Sequence, residues 1–132
     1  MYTYEQVLKS STAYFDGDEL AANVFAGKYA LQDSESNFLE QNPEDMHRRL
    51  ASEFARIELN YPNPMSEEEI FGLFNRFKDV IPQGSPMSGI GNNYQIQSIS
   101  NCFVIESPHD SYGGIVRLME VGRLPTSSIE MG

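Results

Sequence analysis

The sequence predicts a mainly α-helical fold that turns to extended structure only near its end. Two helix starts are written plainly, Asn42-Pro43 and Ser66-x-x-Glu69, and an apolar stripe of helical period follows each. Beyond Pro82 the pattern changes to a Gly/Pro/Ser/Met stretch, and then to a β-rich run from Ile96 to Ile105.

In chain order, Tyr4 to Lys9 begins a short first helix. Asp16-Gly17-Asp18 makes a turn into a second over Glu19 to Leu31, where Leu20, Val24 and Leu31 recur at helical spacing beside Phe25. Gly27 weakens that helix by about 1 kcal/mol relative to Ala. Gln32 to Gln41 is a polar connection anchored by Phe38 and Leu39. In the third helix Asn42 is the N-cap, Pro43 takes the first position, and Glu44 and Asp45 complement the dipole. Met46, Leu50, Phe54 and Ile57 form its stripe, and Pro62 stops it by biasing Tyr61 away from helical geometry. The fourth helix starts at the Ser66/Glu69 capping box, buries Ile70, Leu73, Phe74 and Phe77, extends to Val80 and closes at Pro82. The late strand has no obvious partner within the chain. Tyr2 or the tail supplies one, or another polypeptide does, and the last is favoured because buried unpaired backbone groups are costly.

Composition narrows the function classes. With 132 residues and 40% hydrophobic content the chain can bury a real core. Nine Lys and Arg against 19 Asp and Glu give a net charge of −10, which argues against nucleic acid or an anionic membrane as a partner. Glu5, Asp16, Asp18 and Glu19 interrupt the region a secretory leader would need, and no stretch matches a membrane span. A lone cysteine, Cys102, fits a reducing cytoplasm.

Four colinear blocks carry a resemblance. They are Tyr14-Phe15-Asp16-Gly17-Asp18-Glu19-Leu20-Ala21-Ala22 with Lys28-Tyr29-Ala30-Leu31; Asp45-Met46-His47-Arg48-Arg49-Leu50-Ala51 leading to Glu53-Phe54-Ala55-Arg56-Ile57-Glu58; Pro82 through Asn93; and Gln97 through Ser111 to Ile115. Together they resemble the N-terminal portion of the adenosylcobalamin-dependent (class II) ribonucleotide reductases. Colinear blocks over about 100 residues are more specific than any single short motif. The resemblance implies a helical N-terminal domain over residues 1–81, a substrate loop and first strand of the α/β barrel over 82–115, and a tail at 116–132 that departs from the family.

It also implies roles. Cys102 matches the redox cysteine that reduces the substrate and ends paired with a second cysteine from a later strand. Ser85 matches the hydroxyl residue that binds substrate in the loop before the strand, where Gly84, Gly89 and Gly91 let backbone approach a phosphate or ribose. Asn101 falls where the neighbour of that cysteine faces the substrate. Asp110, Ser111 and Tyr112 match the start of the allosteric specificity site, where a carboxylate can bond the sugar hydroxyl of a deoxynucleotide effector. Plainer readings stand beside these: a lone strand cysteine acts as a small hydrophobe, and Asp110 or Ser111 caps a helix.

From Val116 the match stops, and the thiyl-radical cysteine and second redox cysteine are missing. The expectation is therefore a truncated chain, either the first half of a split enzyme completed by the remaining C-terminal part as a separate chain, or an interrupted gene. Adenosylcobalamin, ribonucleotide, deoxynucleotide effector and thiol reductant belong to the complete enzyme, and this chain alone is expected to be inactive and to hold no metal. The alternative is a non-catalytic helical interaction module. His47 and His109 are too isolated for a zinc site, and His47 reads as a surface position. Glu67-Glu68-Glu69 reads as first-turn charge. Arg48-Arg49 has a solvated face as its default, with Glu44, Asp45, Glu53 or a partner chain as possible counter-ions.

Overall fold

Thr3 opens the first helix. Its hydroxyl accepts from the Gln6 amide while the Gln6 side chain accepts from the Thr3 amide, a capping box that starts α1 (Tyr4–Tyr14). The helix runs five residues beyond the expected Lys9, through Ser10-Ser11-Thr12. These are poor helix formers, but Thr12 returns its hydroxyl to the Leu8 carbonyl at 2.8 Å and Ser11 is fully buried. Val7, Ser11 and Tyr14, spaced four and three apart, are the buried face.

Asp18 caps α2 (Glu19–Lys28) by accepting from the Ala21 amide at 3.0 Å. Helix α2 ends three residues before the expected Leu31, and its buried face is Ala22, Phe25 and Ala26. The predicted stripe was therefore out of phase: Leu20 is 76% exposed and Val24 39%. Ala22 and Ala26 take the buried face with Phe25, so the phase did not follow side-chain size. Residues 32–41 return across the molecule by way of Phe38, which bridges antiparallel to both Tyr2 and Gln32. Tyr2 thus pairs with Phe38.

Helix α3 (Pro43–Glu58) follows the sequence most closely. Asn42 accepts from the Glu44 and Asp45 amides, and Met46, Leu50 and Ala51 are fully buried. Phe54 is half-buried and Ile57 is 42% exposed, so the stripe surfaces toward the C-terminal end. The Ser66–Glu69 capping box starts α4 (Glu67–Phe74) as expected.

That helix ends at Phe74, short of the expected Val80. A 3-10 turn (Asn75–Phe77) follows in which Arg76 and Phe77 have φ of 58° and 53°. A tertiary anchor explains the break: the Arg76 amide donates to Tyr14 Oη at 2.8 Å, its guanidinium donates to the Tyr14 carbonyl, and it lies 4.6 Å from the Tyr14 ring centre. These contacts offset left-handed strain of about 1–2 kcal/mol per residue. The freed Leu73 carbonyl is met by the Asp79 and Val80 amides, and Val80 is 40% exposed.

The computed structural model describes residues 1–95, 99 and 107–117. Among these the protein is mainly helical, with isolated bridges in place of any named strand. The core gathers Val7, Phe25, Phe38, Met46, Leu50, Ile70, Phe71 and Phe74 where α1–α2 and α3–α4 meet. No helix among the described residues is long and apolar enough to cross a membrane. The expected strand at Ile96–Ile105 lies outside the described residues apart from Ile99, which is 58% exposed.

Candidate functional site

The stretch expected as a loop from Pro82 to Gly91 contains a short helix, α5 (Gly84–Gly89). Pro86 sits at its third position, where the missing amide costs nothing, and Ser88 returns its hydroxyl to the Gly84 carbonyl at 3.2 Å. Ser85 is half-buried on this helix. The backbone of Gly84 lies against the Tyr29 ring, which a Cβ there would meet at 3.5 Å. Met87 and Ile90 turn inward onto the core.

A buried ion pair holds this segment in place. Arg49 Nε donates to Glu40 Oε1 at 2.7 Å, with the two side chains only 10% and 5% exposed. The other Glu40 oxygen accepts from the Leu31 amide at 2.8 Å. The far side of the guanidinium donates to the Met87 carbonyl at 2.8 Å and to the Ile90 carbonyl. One cation therefore joins α3, the return strand-like segment and the end of α5. The expectation of a solvated Arg49 is corrected: the carbonyls of Met87 and Ile90 supply what water would otherwise provide. Arg48 pairs with Glu68 at 2.7 Å and lies 3.7 Å above the Phe71 ring, on the exposed side of the same helix.

Beyond the clamp the chain turns sharply. Gly91 has φ of +72°, and a Cβ there would lie 2.7 Å from Arg49 Cγ and 3.0 Å from Glu53 Cγ. Only glycine passes over the arginine stem in that conformation. Asn92 Oδ1 then accepts from the Tyr94 and Gln95 amides at 2.9 and 3.2 Å, which fixes a local turn. Cys102 and Asn101 themselves lie outside the described residues.

Asp110, Ser111 and Tyr112 are described and exposed, Tyr112 to 93%. Ser111 caps a helical stretch over residues 112–117: its hydroxyl accepts from the Gly114 amide at 3.1 Å and its carbonyl from the Ile115 amide. Gly114 is tight, since a Cβ would come within 2.5 Å of the His109 carbonyl oxygen.

Sequence reasoning missed a second buried polar group. His47 was expected at the surface and is fully buried, between Phe74 at 6.4 Å and Phe77 at 4.6 Å between ring centres. Tyr14 Oη accepts from the Arg76 amide and sits 3.4 Å from His47 Nδ1, within hydrogen-bonding reach. This leaves His47 Nε2 as the buried side-chain atom without a hydrogen-bond partner among the described residues. Burial pushes the imidazole down to about 4, and burial likewise raises the Tyr14 phenol, an effect opposed by its bond from the Arg76 amide. The missed signal was position: His47 borders Met46 and lies three residues before Leu50, within the width of an ordinary apolar face.

No group of three His, Cys, Asp or Glu side chains among the described residues is placed to hold a metal ion. No protein family, curated protein or solved structure matches the chain.

Proposed function

We propose that this chain contributes one redox cysteine, Cys102, and parts of the substrate and effector sites to a ribonucleotide reductase, an oxidoreductase that supplies deoxyribonucleotides for DNA replication. The observation that carries the reading is the colinear set of blocks from Tyr14 to Ile115, which ends in the order Ser85, Asn101-Cys102, Asp110-Ser111-Tyr112. In the cytoplasm, a reducing compartment, such a thiol stays available between turnovers.

In this reaction Cys102 and a second thiol give up two electrons and two protons as their S–S bond forms. The ribose 2′-hydroxyl leaves as water, the 2′ carbon ends bearing hydrogen, and an external dithiol regenerates the pair. Ser85 donates its hydroxyl to the substrate without adding charge, and Asn101 lines the same side. Asp110 accepts from the sugar hydroxyl of the effector, while amides at the Ser111-capped turn face its phosphates. The second thiol, the radical cysteine and the adenosylcobalamin site all belong to sequence beyond these 132 residues.

The test is reconstitution with a polypeptide carrying the remaining reductase sequence. The 132-residue chain alone should not reduce a ribonucleotide in the presence of adenosylcobalamin and dithiol. The completed enzyme should turn over, and Cys102→Ser should bind substrate yet lose multiple turnover, because a hydroxyl cannot form the disulfide. Repeated turnover by the Cys102→Ser enzyme at the parent rate would refute the role given to Cys102.

A further inference from the structure

Helix α3 carries its apolar stripe further than the core does. Met46 and Leu50 are fully buried, Phe54 is half-buried, and Ile57 reaches solvent where the helix ends. Beyond it Leu59 is 76% exposed, Tyr61 60% and Met65 39%. Four large apolar side chains thus stand exposed between Ile57 and Met65, on the tip where α3 passes into α4. We propose that this tip is a docking surface for an amphipathic helix of a partner polypeptide, one whose apolar face is flanked by Lys or Arg. The surface does not depend on the reductase reading.

An exposed leucine taken singly needs no explanation, but this group is held out by structure. The Asn60 amide donates to the Ile57 carbonyl at 3.0 Å and the Tyr61 amide to the Glu58 carbonyl at 2.8 Å, so the helix closes in tight turns. The Asn60 side chain adds a second bond to the Ile57 carbonyl at 2.8 Å. From the far side of the connection, the Met65 amide donates back to Glu58 Oε2 at 3.1 Å. Between them Pro62 and Pro64 fix their own φ, and Asn63 sits at φ of 59°, a conformation asparagine tolerates. A loop fixed in this way has little freedom left to lose when a partner arrives, which lowers the cost of association. Tyr61 adds a large, stiff contact area of the kind that dominates interface energetics.

Charge decides which partner fits. Residues 57–75 contain four glutamates, Glu58, Glu67, Glu68 and Glu69, and no Lys or Arg. Glu68 pairs with Arg48, and Glu69 is committed to the Ser66 capping box. Glu58 and Glu67 have no ion pair among the described residues. A second copy would bring the same acidic tip, and the same net charge of −10, against this one. An anionic membrane is repelled for the same reason. A helix with Lys or Arg beside its apolar stripe suits both features, because long basic side chains lie along apolar surface while their ends reach carboxylates.

Amide NMR titrations of the full chain with a synthetic amphipathic helix of Leu and Lys test this. Amides of residues 57–68 should move, and a helix of the same pattern with Glu in place of Lys should leave them still. Leu59→Ser combined with Tyr61→Ser should weaken binding by on the order of tenfold, while costing the fold little because both positions are exposed. Glu67→Gln should weaken it about two- to fivefold. Glu35→Gln removes the same charge from an exposed position outside the tip and should leave binding unchanged. Far-ultraviolet circular dichroism checks that each variant keeps its helices, and the glutamine variants carry the test if the serine variant does not. Shifts centred elsewhere, equal binding by the Glu-bearing helix, or parent-like affinity of the folded serine variant would each overturn the proposal. Equal losses from Glu67→Gln and Glu35→Gln would do the same. So would shifts of residues 57–68 that grow with protein concentration in the absence of peptide, which would give the tip to a second copy. Failure of reconstituted turnover would leave this surface standing, and failure of the surface would leave the reductase reading standing.

Discussion

His47 should make the fold acid-sensitive in a window set by its own burial. The imidazole is fully enclosed, with Phe74 and Phe77 on two sides, Tyr14 Oη at Nδ1 and no partner at Nε2. Protonation would place a cation among these rings, and the Arg76 guanidinium over the Tyr14 ring carries the same sign. The folded-state pKa is depressed from 6.5 to about 4. Between those values the unfolded chain binds a proton that the folded chain refuses. Stability from this group is complete above about pH 6.5, falls as the pH drops, and is exhausted below about pH 4. At 1.36 kcal/mol per pH unit the full loss is about 3–4 kcal/mol, of which about 2–3 kcal/mol has accrued by about pH 4.5, a large part of a small domain's total. Urea unfolding of the parent and of His47→Gln, followed by far-ultraviolet circular dichroism at about pH 7 and about pH 4.5, measures it. Glutamine costs stability at neutral pH but does not titrate, and carboxylate effects common to both proteins cancel in the difference. The gap between parent and variant should narrow by about 2–3 kcal/mol on acidification. Parallel pH profiles would show that the ring is hydrated in solution, and the argument from burial would fail.

Two further substitutions test the packing and the caps. Phe74→Ala empties a site that is 6% exposed and should cost about 3–5 kcal/mol in chemical unfolding. Phe54, whose ring centre lies 5.6 Å from that of Phe74, is half-buried and should cost less, with a coupling of about 0.5–1.5 kcal/mol in a double-mutant cycle. Equal losses at both positions would mean that the rim of α3 is buried in solution. Ser66→Ala should cost about 1 kcal/mol by opening the capping box. It should also raise the Glu69 carboxyl part of the way toward its ordinary range: the amide of residue 66, the larger cause of the lowering, still donates to it, while the hydroxyl bond is lost. An unchanged Glu69 titration by NMR would place the cap elsewhere.

Local signals in the sequence predicted the elements well, and tertiary contacts altered their extents. Asn42 and Ser66 name their helices because capping is a transaction among four neighbouring residues. The end of α4 is decided by Tyr14, 62 residues from Arg76, and no local pattern reports that. The phase of α2 was misjudged because large Leu20 and Val24 outweighed Ala22 and Ala26 on paper, and the alanines are the residues that are buried. The buried ion pair of Glu40 and Arg49 was half legible. In an extended stretch Phe38 and Glu40 point the same way, so the expected anchoring of Phe38 implied an inward carboxylate, and an inward carboxylate needs a cation. The positions of Cys102 and Asn101 rest on the resemblance, since they lie outside the described residues.

Among the described residues every fully buried apolar side chain lies between Val7 and Phe74, whereas every residue given a chemical role lies at Ser85 or later. Such a division matters for how the sequence can drift. Most damaging substitutions act by emptying a core or stranding a buried polar group, and a protein tolerates few of these before it crosses its stability threshold. A stretch with little buried area is largely screened from that filter. The described residues from 84 onward, Gly91 and Gly114 excepted, can therefore vary in identity at small cost to folding, and selection on them is free to follow binding and reactivity. Arg49 and Glu40 are the exception, because a change at either is felt on both sides of the divide.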